Sequence, residues 1–227
     1  MSRDRVLVWD GCVNVRDLGG LPLDGGGETR FGVVVRADSI AGLTGTGWEA
    51  LSDYGVTAAI DLRGDHELDG AEPRVPVTRI PIAPLSGPAW EWPSMREAYL
   101  AMLDEWRPQF ANAVDAIAAS EPPVVIHCQG GRDRTGLVVA LVLDAVGVGR
   151  RTIAADHARS DESWAPYNPS WIEDADDPAD RAKRTRITHP AGETMVDILD
   201  EVDRRHGGAS SYLGTVSIDT LVLRLGG

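Results

Sequence analysis

The sequence predicts an α/β fold, one domain over residues 1–227 with a mostly parallel central sheet flanked by helices. Three observations carry that expectation. Val124–His127 is a continuous apolar run of the kind buried in the middle of a sheet. A glycine-containing turn follows it and leads into the apolar helical stretch Leu137–Val146. Val56–Leu62 is a second compact apolar strand, and two helical patterns separate it from the first, so strands and helices interleave.

Taken in order, Val6 to Arg36 alternates short apolar runs with turns such as Asp24-Gly25-Gly26-Gly27, which predicts a β-rich entry with at least one hairpin. Thr46-Gly-Trp-Glu49 has capping-box spacing and opens a short helix ending near Gly55. Ser94-Met-Arg-Glu97 repeats that pattern, with Tyr99, Leu100, Met102 and Leu103 at helical spacing behind it. Pro108 can start a helix running to about Ala119, and Pro122-Pro123 closes the segment. Thr152–Arg159 reads as a further helix. Between Ser160 and Thr188 the pattern breaks down: Pro166, Pro169, Pro178 and the acidic run Asp174–Asp180 predict an irregular insertion, a candidate lid. Glu193–His206 returns to helix with Met195, Val196, Leu199 and Val202 as its apolar stripe, and Gly207-Gly208 stops it. An amphipathic helix, Ser217–Leu225, closes the chain.

The net charge of −13 argues against a general attraction to nucleic acid or to an anionic membrane, so an anionic substrate must be drawn in by local basic groups. Cys12 and Cys128 are too few for a disulfide framework. The apolar stretch Val6–Trp9 is too brief for a signal peptide, and no run reaches membrane-spanning length. A cytoplasmic protein with no stable membrane insertion is the expectation. The five histidines lack zinc-like spacing, so neither metal nor cofactor is expected.

The informative stretch is His127-Cys128-Gln129-Gly130-Gly131-Arg132-Asp133-Arg134-Thr135-Gly136, set between the buried strand and the apolar helix. Glycines let such a loop fold tightly, its N–H groups can point inward, and a helix N-terminus adds positive partial charge. Residues Gln129 to Arg134 thereby form a cradle for a tetrahedral anion, with Cys128 and Arg134 facing it together. A thiolate in such surroundings is a nucleophile, and its pKa can be depressed to roughly 3.5–7.5. Arg134 can hold two phosphoryl oxygens in a bidentate fork that lysine could not copy. The Thr135 hydroxyl can donate to the Cys128 sulfur as it leaves, and His127 is expected to orient the loop through a backbone hydrogen bond. A cysteine ending a core strand is often only a small buried apolar residue. Gly130, Gly131, Arg134 and Thr135 around it favour the nucleophile. Nucleotide-binding loops need a Gly-Lys-Ser/Thr ending absent here, and rhodanese loops are shorter by a residue.

These residues resemble the His-Cys-x5-Arg-Ser/Thr signature of the protein tyrosine phosphatase superfamily. More narrowly, the chain is similar to a bacterial branch of it, the mycobacterial B type. Asn14-Val-Arg16-Asp17-Leu-Gly19-Gly20, Asp61-Leu-Arg63 followed by Glu67, and Asp133-Arg134-Thr135-Gly136 carry that likeness, as do Ala155-Asp156-His157, Glu193-Thr194-Met195, Gly207-Gly208 and Tyr212-Leu213. Arg132 stands where the branch has lysine, and Asp156-His157 where it has Asp-Tyr. The resemblance implies a metal-independent phosphomonoester hydrolase, a protein tyrosine or dual-specificity phosphatase, acting through a phosphocysteine on Cys128. It also implies that Asp61 and Asp133 face the phosphate.

Expelling the leaving oxygen needs a proton donor. Trp92-Pro93-Ser94 lacks the aspartate of a Trp-Pro-Asp loop, and Glu91 precedes the Trp-Pro pair. Asp61, ending an apolar strand where its pKa should be raised, is expected as the acid, with Asp133 second. An ion pair of Asp61 with Arg63 or Arg36 is the competing expectation. Asn14–Gly20 is expected to brace the loop, Arg16 is a candidate second phosphate-facing charge, and Trp90, Trp92, Trp164 and Trp171 border the cleft. The alternatives are a phosphoinositide phosphatase and a non-catalytic phosphate-binding module.

Overall fold

The computed structural model describes residues 4–68, 72–82, 92–188, 194–214 and 217–226. Its sheet has the strands β1 (Arg16–Asp17), β2 (Val34–Ala37), β3 (Ala58–Asp61), β4 (Val77–Arg79) and β5 (Val124–His127), in the order β1-β2-β5-β3-β4. The short β1 is antiparallel to β2; every other neighbour pair is parallel. Alternation along the strands divides the core. Val34, Ile60, Val124 and Ile126 face a large helical layer. Val35, Ala37, Ala59 and Val125 face a smaller cluster with Trp9, Ile40, Trp48 and Leu51.

The smaller cluster is covered by α1 (Gly45–Asp53). Its cap is Thr44, whose hydroxyl accepts from the Gly47 amide, and not Thr46 as the spacing predicts; Thr46 bonds Asp10 instead. The larger face packs against α2 (Met95–Glu105), α3 (Arg107–Ala119), α4 (Asp133–Ala145), α5 (Arg150–Trp164), α8 (Thr194–His206), α9 (Ala209–Leu213) and α10 (Ser217–Leu225). Ser94 caps α2 as expected and Pro108 lies in the first turn of α3. The predicted hairpin is a tight turn in which Pro22 pairs with Glu28.

Residues 160–188 differ from expectation. They are helical: α5 runs on to Trp164, and α6 (Asn168–Glu173) and α7 (Pro178–Ile187) follow. The prolines mark starts and not breaks. Pro169 and Pro178 occupy first-turn positions, where a missing N–H costs nothing, and Asp177 of the acidic run caps α7. Trp90, Glu91 and Glu193 lie outside the described residues.

Candidate active site

In the parallel register His127 stands level with Ala37 on one side and Asp61 on the other. The chain therefore leaves the sheet at Cys128 from between two strand ends, where open α/β sheets form their ligand crevice. It enters α4 at Asp133. Cys128 and Arg134 are 2% and 1% exposed, whereas Gln129 lies open at the tip.

Donors outside the loop hold its carbonyls. The Ser39 amide donates to the Gln129 carbonyl at 3.0 Å. Asn14 Nδ2 at 2.9 Å and Trp164 Nε1 at 2.8 Å donate to that of Gly130, and Arg36 Nη2 to that of Gly131 at 2.8 Å. In a planar trans peptide the C=O and the following N–H point opposite ways, so the amides of Gly130, Gly131 and Arg132 turn to the other side, toward the inside of the loop. Gly131 has φ +64°, and a Cβ there would stand 2.4 Å from the Ala37 carbonyl oxygen, so a side chain is excluded twice over.

Arg134 is aimed by Glu67, whose carboxylate oxygens accept from its two Nη groups at 2.6 and 2.7 Å. Its buried Nε has no hydrogen-bond partner among the described residues. Burial works against its charge, but the nearby Cys128 sulfur and Glu67 outweigh burial and hold its pKa above the ordinary value. Glu67 answers in kind: burial raises its pKa, and Arg134 pulls it below the usual value. The sequence reading placed Glu67 but gave it no role.

Asp61 corrects the expectation of a raised carboxyl. Burial does push it up, but Arg63 donates to both its oxygens at 3.0–3.2 Å and its amide adds a bond at 2.9 Å, so the pKa ends lowered. The competing ion pair is the one formed. Asp133 is 8% exposed and accepts from the Tyr99 hydroxyl at 2.5 Å on Oδ1. Tyr99 also lies 3.3 Å from His157 Nε2, and that ring packs where a Cβ on Gly136 would stand 2.6 Å away.

Other expectations are revised. The Thr135 hydroxyl is fully buried but makes no hydrogen bond to the Cys128 sulfur. The Arg132 guanidinium is engaged by Asp161 at 2.7 Å and by the Ile187 carbonyl. Arg16 is buried against Asn14 and Asp156, not facing the loop's interior. His127 Nδ1 stands 3.4 Å from the Cys128 carbonyl, and burial pushes its pKa to about 4, so the ring is neutral near pH 7.

Of the tryptophans, Trp164 reaches the loop, Trp92 is exposed, and Trp171 lies under Arg184. A cavity of about 360 Å³ opens beside the strand ends, lined by Ile40, Leu43, Trp48, Asp61, Arg63 and His127 among others; Cys128 and Arg134 do not line it. No three His, Cys, Asp or Glu side chains converge as metal ligands among the described residues. Sequence reasoning put Trp164 at the cleft but not on the loop, named Arg36 only as a partner for Asp61, and gave Tyr99 no role at the site. Arg36 had a signal, being a charge inside the run Val33–Ala37 that had to be paired if buried.

The family described as the tyrosine phosphatase family matches residues 7–222. A tyrosine-protein phosphatase of Nostoc commune is 29% identical over 85% of this chain and 74% of its own length. A Cupriavidus necator relative is 27% identical over 96% of this chain and 86% of its own. The triple specificity protein phosphatase PtpB of Mycobacterium tuberculosis is 52% identical over 52 residues, 23% of this chain and 19% of its own.

Proposed function

Because the chain belongs to the tyrosine phosphatase family, we propose that it hydrolyses phosphotyrosine in proteins through a phosphocysteine formed on Cys128. The observation that carries the reading is the loop itself, with three successive carbonyls, of Gln129, Gly130 and Gly131, held outward above a buried cysteine and arginine. Amides turned inward and the Nε of Arg134 meet the equatorial oxygens of a phosphoryl group.

In the first step the Cys128 sulfur attacks phosphorus, the S–P bond forms, and the bond to the leaving oxygen breaks. Asp133 is assigned as the acid that protonates that oxygen: Tyr99 holds one carboxylate oxygen, and no described residue donates to the other. Asp61, committed to Arg63, is assigned to positioning. In the second step water attacks phosphorus and gives its proton to Asp133. The S–P bond breaks, Cys128 leaves as thiolate, and inorganic phosphate is released. The Thr135 hydroxyl, buried and unpaired, is assigned to donate to that sulfur as it leaves, a bond it does not make in the resting site.

The helices of residues 160–188 remain the proposed lid, tied to the loop where Arg132 donates to the Ile187 carbonyl. Because the reaction needs Cys128 as a free thiol, a reducing cytoplasm is its proposed place of action. A phosphoinositide headgroup, with its extra phosphates, would call on a second cation beside Arg134, and the nearby Arg132 guanidinium is already engaged by Asp161. An activity ratio on a phosphotyrosine peptide and a phosphoinositide separates the two.

The decisive experiment is hydrolysis of p-nitrophenyl phosphate, with chelator present, by the wild type and by Cys128→Ser. Chelator-resistant turnover lost in the variant is expected. A variant that still turns over defeats the mechanism, and an inactive wild type leaves the binding-module reading standing.

A further inference from the structure

Asp156 lies on α5, far in sequence from the loop, yet it is 2% exposed and gathers three guanidinium groups. Arg5 Nη2 reaches Oδ1 at 2.6 Å, Arg16 Nε reaches it at 3.0 Å, and Arg36 Nη1 reaches Oδ2 at 2.8 Å. Ser160, one helical turn on, accepts from Arg16 at 3.1 Å and from Arg36 at 3.2 Å. Arg16 also donates to the Asp156 carbonyl at 2.7 Å. A buried carboxylate costs several kcal/mol to desolvate unless it is paired. Burial raises the Asp156 carboxyl, and the three arginines overcome that and drive it far below the ordinary range.

Both arginines that Asp156 holds deep in the core connect to the phosphate loop, Arg36 directly and Arg16 through Asn14. Arg36 uses Nη1 for Asp156 and Nη2 for the Gly131 carbonyl. Arg16 donates through Nη1 to Asn14 Oδ1 at 2.7 Å, which fixes the amide so that Nδ2 can donate to the Gly130 carbonyl. We propose that Asp156 is a positioning residue for the phosphate loop: through Arg36, and through Arg16 and Asn14, it turns the Gly130 and Gly131 carbonyls outward and so aims the following amides at the anion. This rests on the reading of the loop as a phosphate cradle. The three arginines would otherwise repel one another, freeing Arg36 to leave the Gly131 carbonyl and Arg16 to leave Asn14.

The test is protection of Cys128 by inorganic phosphate against alkylation by iodoacetate, read by mass spectrometry on folded protein, for the wild type, Asp156→Asn and Arg36→Lys. The lysine variant keeps a cation for Asp156 but cannot span Asp156 and the Gly131 carbonyl together. It serves even where Asp156→Asn fails to fold. The half-protecting phosphate concentration is expected to rise roughly tenfold to a hundredfold in either variant. In parallel, KM for p-nitrophenyl phosphate should rise by a similar factor. Folded variants that melt earlier but keep the wild-type half-protecting concentration overturn the inference and leave Asp156 a structural ion cluster. A wild type that phosphate does not protect overturns the cradle reading itself.

Discussion

Replacing Glu67 with glutamine should leave Arg134 charged and buried but no longer held in its aim. In the native site the two carboxylate oxygens accept from two guanidinium nitrogens at 2.6 and 2.7 Å, with Arg134 essentially buried. Glutamine is nearly isosteric, but its amide nitrogen would face one of those N–H groups, so one bond survives with a neutral acceptor and the other becomes a donor-donor contact. Hydrogen bonds to charged groups contribute about 1.5–3 kcal/mol each, so roughly 2–3 kcal/mol of stability should be lost. The larger effect is on aim. With its fork no longer held, the Arg134 Nε shifts relative to the phosphoryl oxygens, and a displacement of about 1 Å can cost a hundredfold in rate. Steady-state hydrolysis of p-nitrophenyl phosphate, with urea unfolding on the same preparation, measures both. A folded Glu67→Gln protein with kcat/KM within about threefold of the wild type would refute the idea that Glu67 aims Arg134.

Acidification tests the buried histidines. His127 is pushed to about 4 and His157 well below its ordinary value, both chiefly by burial, while the unfolded chain takes up these protons near pH 6.5. Below about pH 6.5 the unfolded state binds more protons, so stability is complete above that pH and falls toward pH 4 by about 1.4 kcal/mol per unit for each ring; a urea midpoint unchanged between pH 7 and 5 contradicts this. Tyr99→Phe removes the donor to Asp133 and should lower kcat about tenfold, more for phenyl phosphate than for p-nitrophenyl phosphate, since the poorer leaving group needs the proton more; equal losses on both substrates count against Asp133 as the acid. Arg132→Ala should leave KM within about threefold, because its guanidinium serves Asp161 and Ile187, whereas Arg134→Ala should abolish turnover; similar losses in both variants would put the Arg132 side chain back on the phosphate.

The fold was legible wherever local pattern and final environment agree. Val124–His127 is apolar at every position before its histidine because it is the central strand, and the structure gives it those bounds. Ser217–Leu225 kept its predicted ends for the same reason, with Ile218, Leu221 and Leu225 forming an apolar stripe against the core. Pattern failed where one residue type has two opposite uses. Proline breaks a helix in its interior and starts one in its first turn, so Pro169 and Pro178 read as part of an irregular insertion although they open α6 and α7. Thr44 and Thr46 compete for one cap two residues apart. Both hydroxyls reach Asp10, and it is Thr44 that also accepts from the Gly47 amide and so caps the helix.

The site divides along the same line. Cys128, Gly130, Gly131 and Arg134 act through spacing along one short stretch, so a sequence shows them together. The residues that orient them act across the fold: Glu67 on Arg134, Arg36 on Gly131, Trp164 on Gly130, Tyr99 on Asp133. No local rule connects such pairs. What a sequence does contain is the cost each would incur if buried alone. Arg36 sits among Val33, Val34, Val35 and Ala37, and Asp156 sits on the buried face of α5 beside His157. A charge placed where the pattern demands an apolar residue implies a partner of opposite sign before either is located. Asp61 shows how such an inference can go astray. Burial was read correctly, but the shift it causes was taken to stand unopposed, and Arg63, two residues on, reverses its sign. Burial sets how strongly a carboxyl responds to its surroundings, and the neighbouring cation decides in which direction.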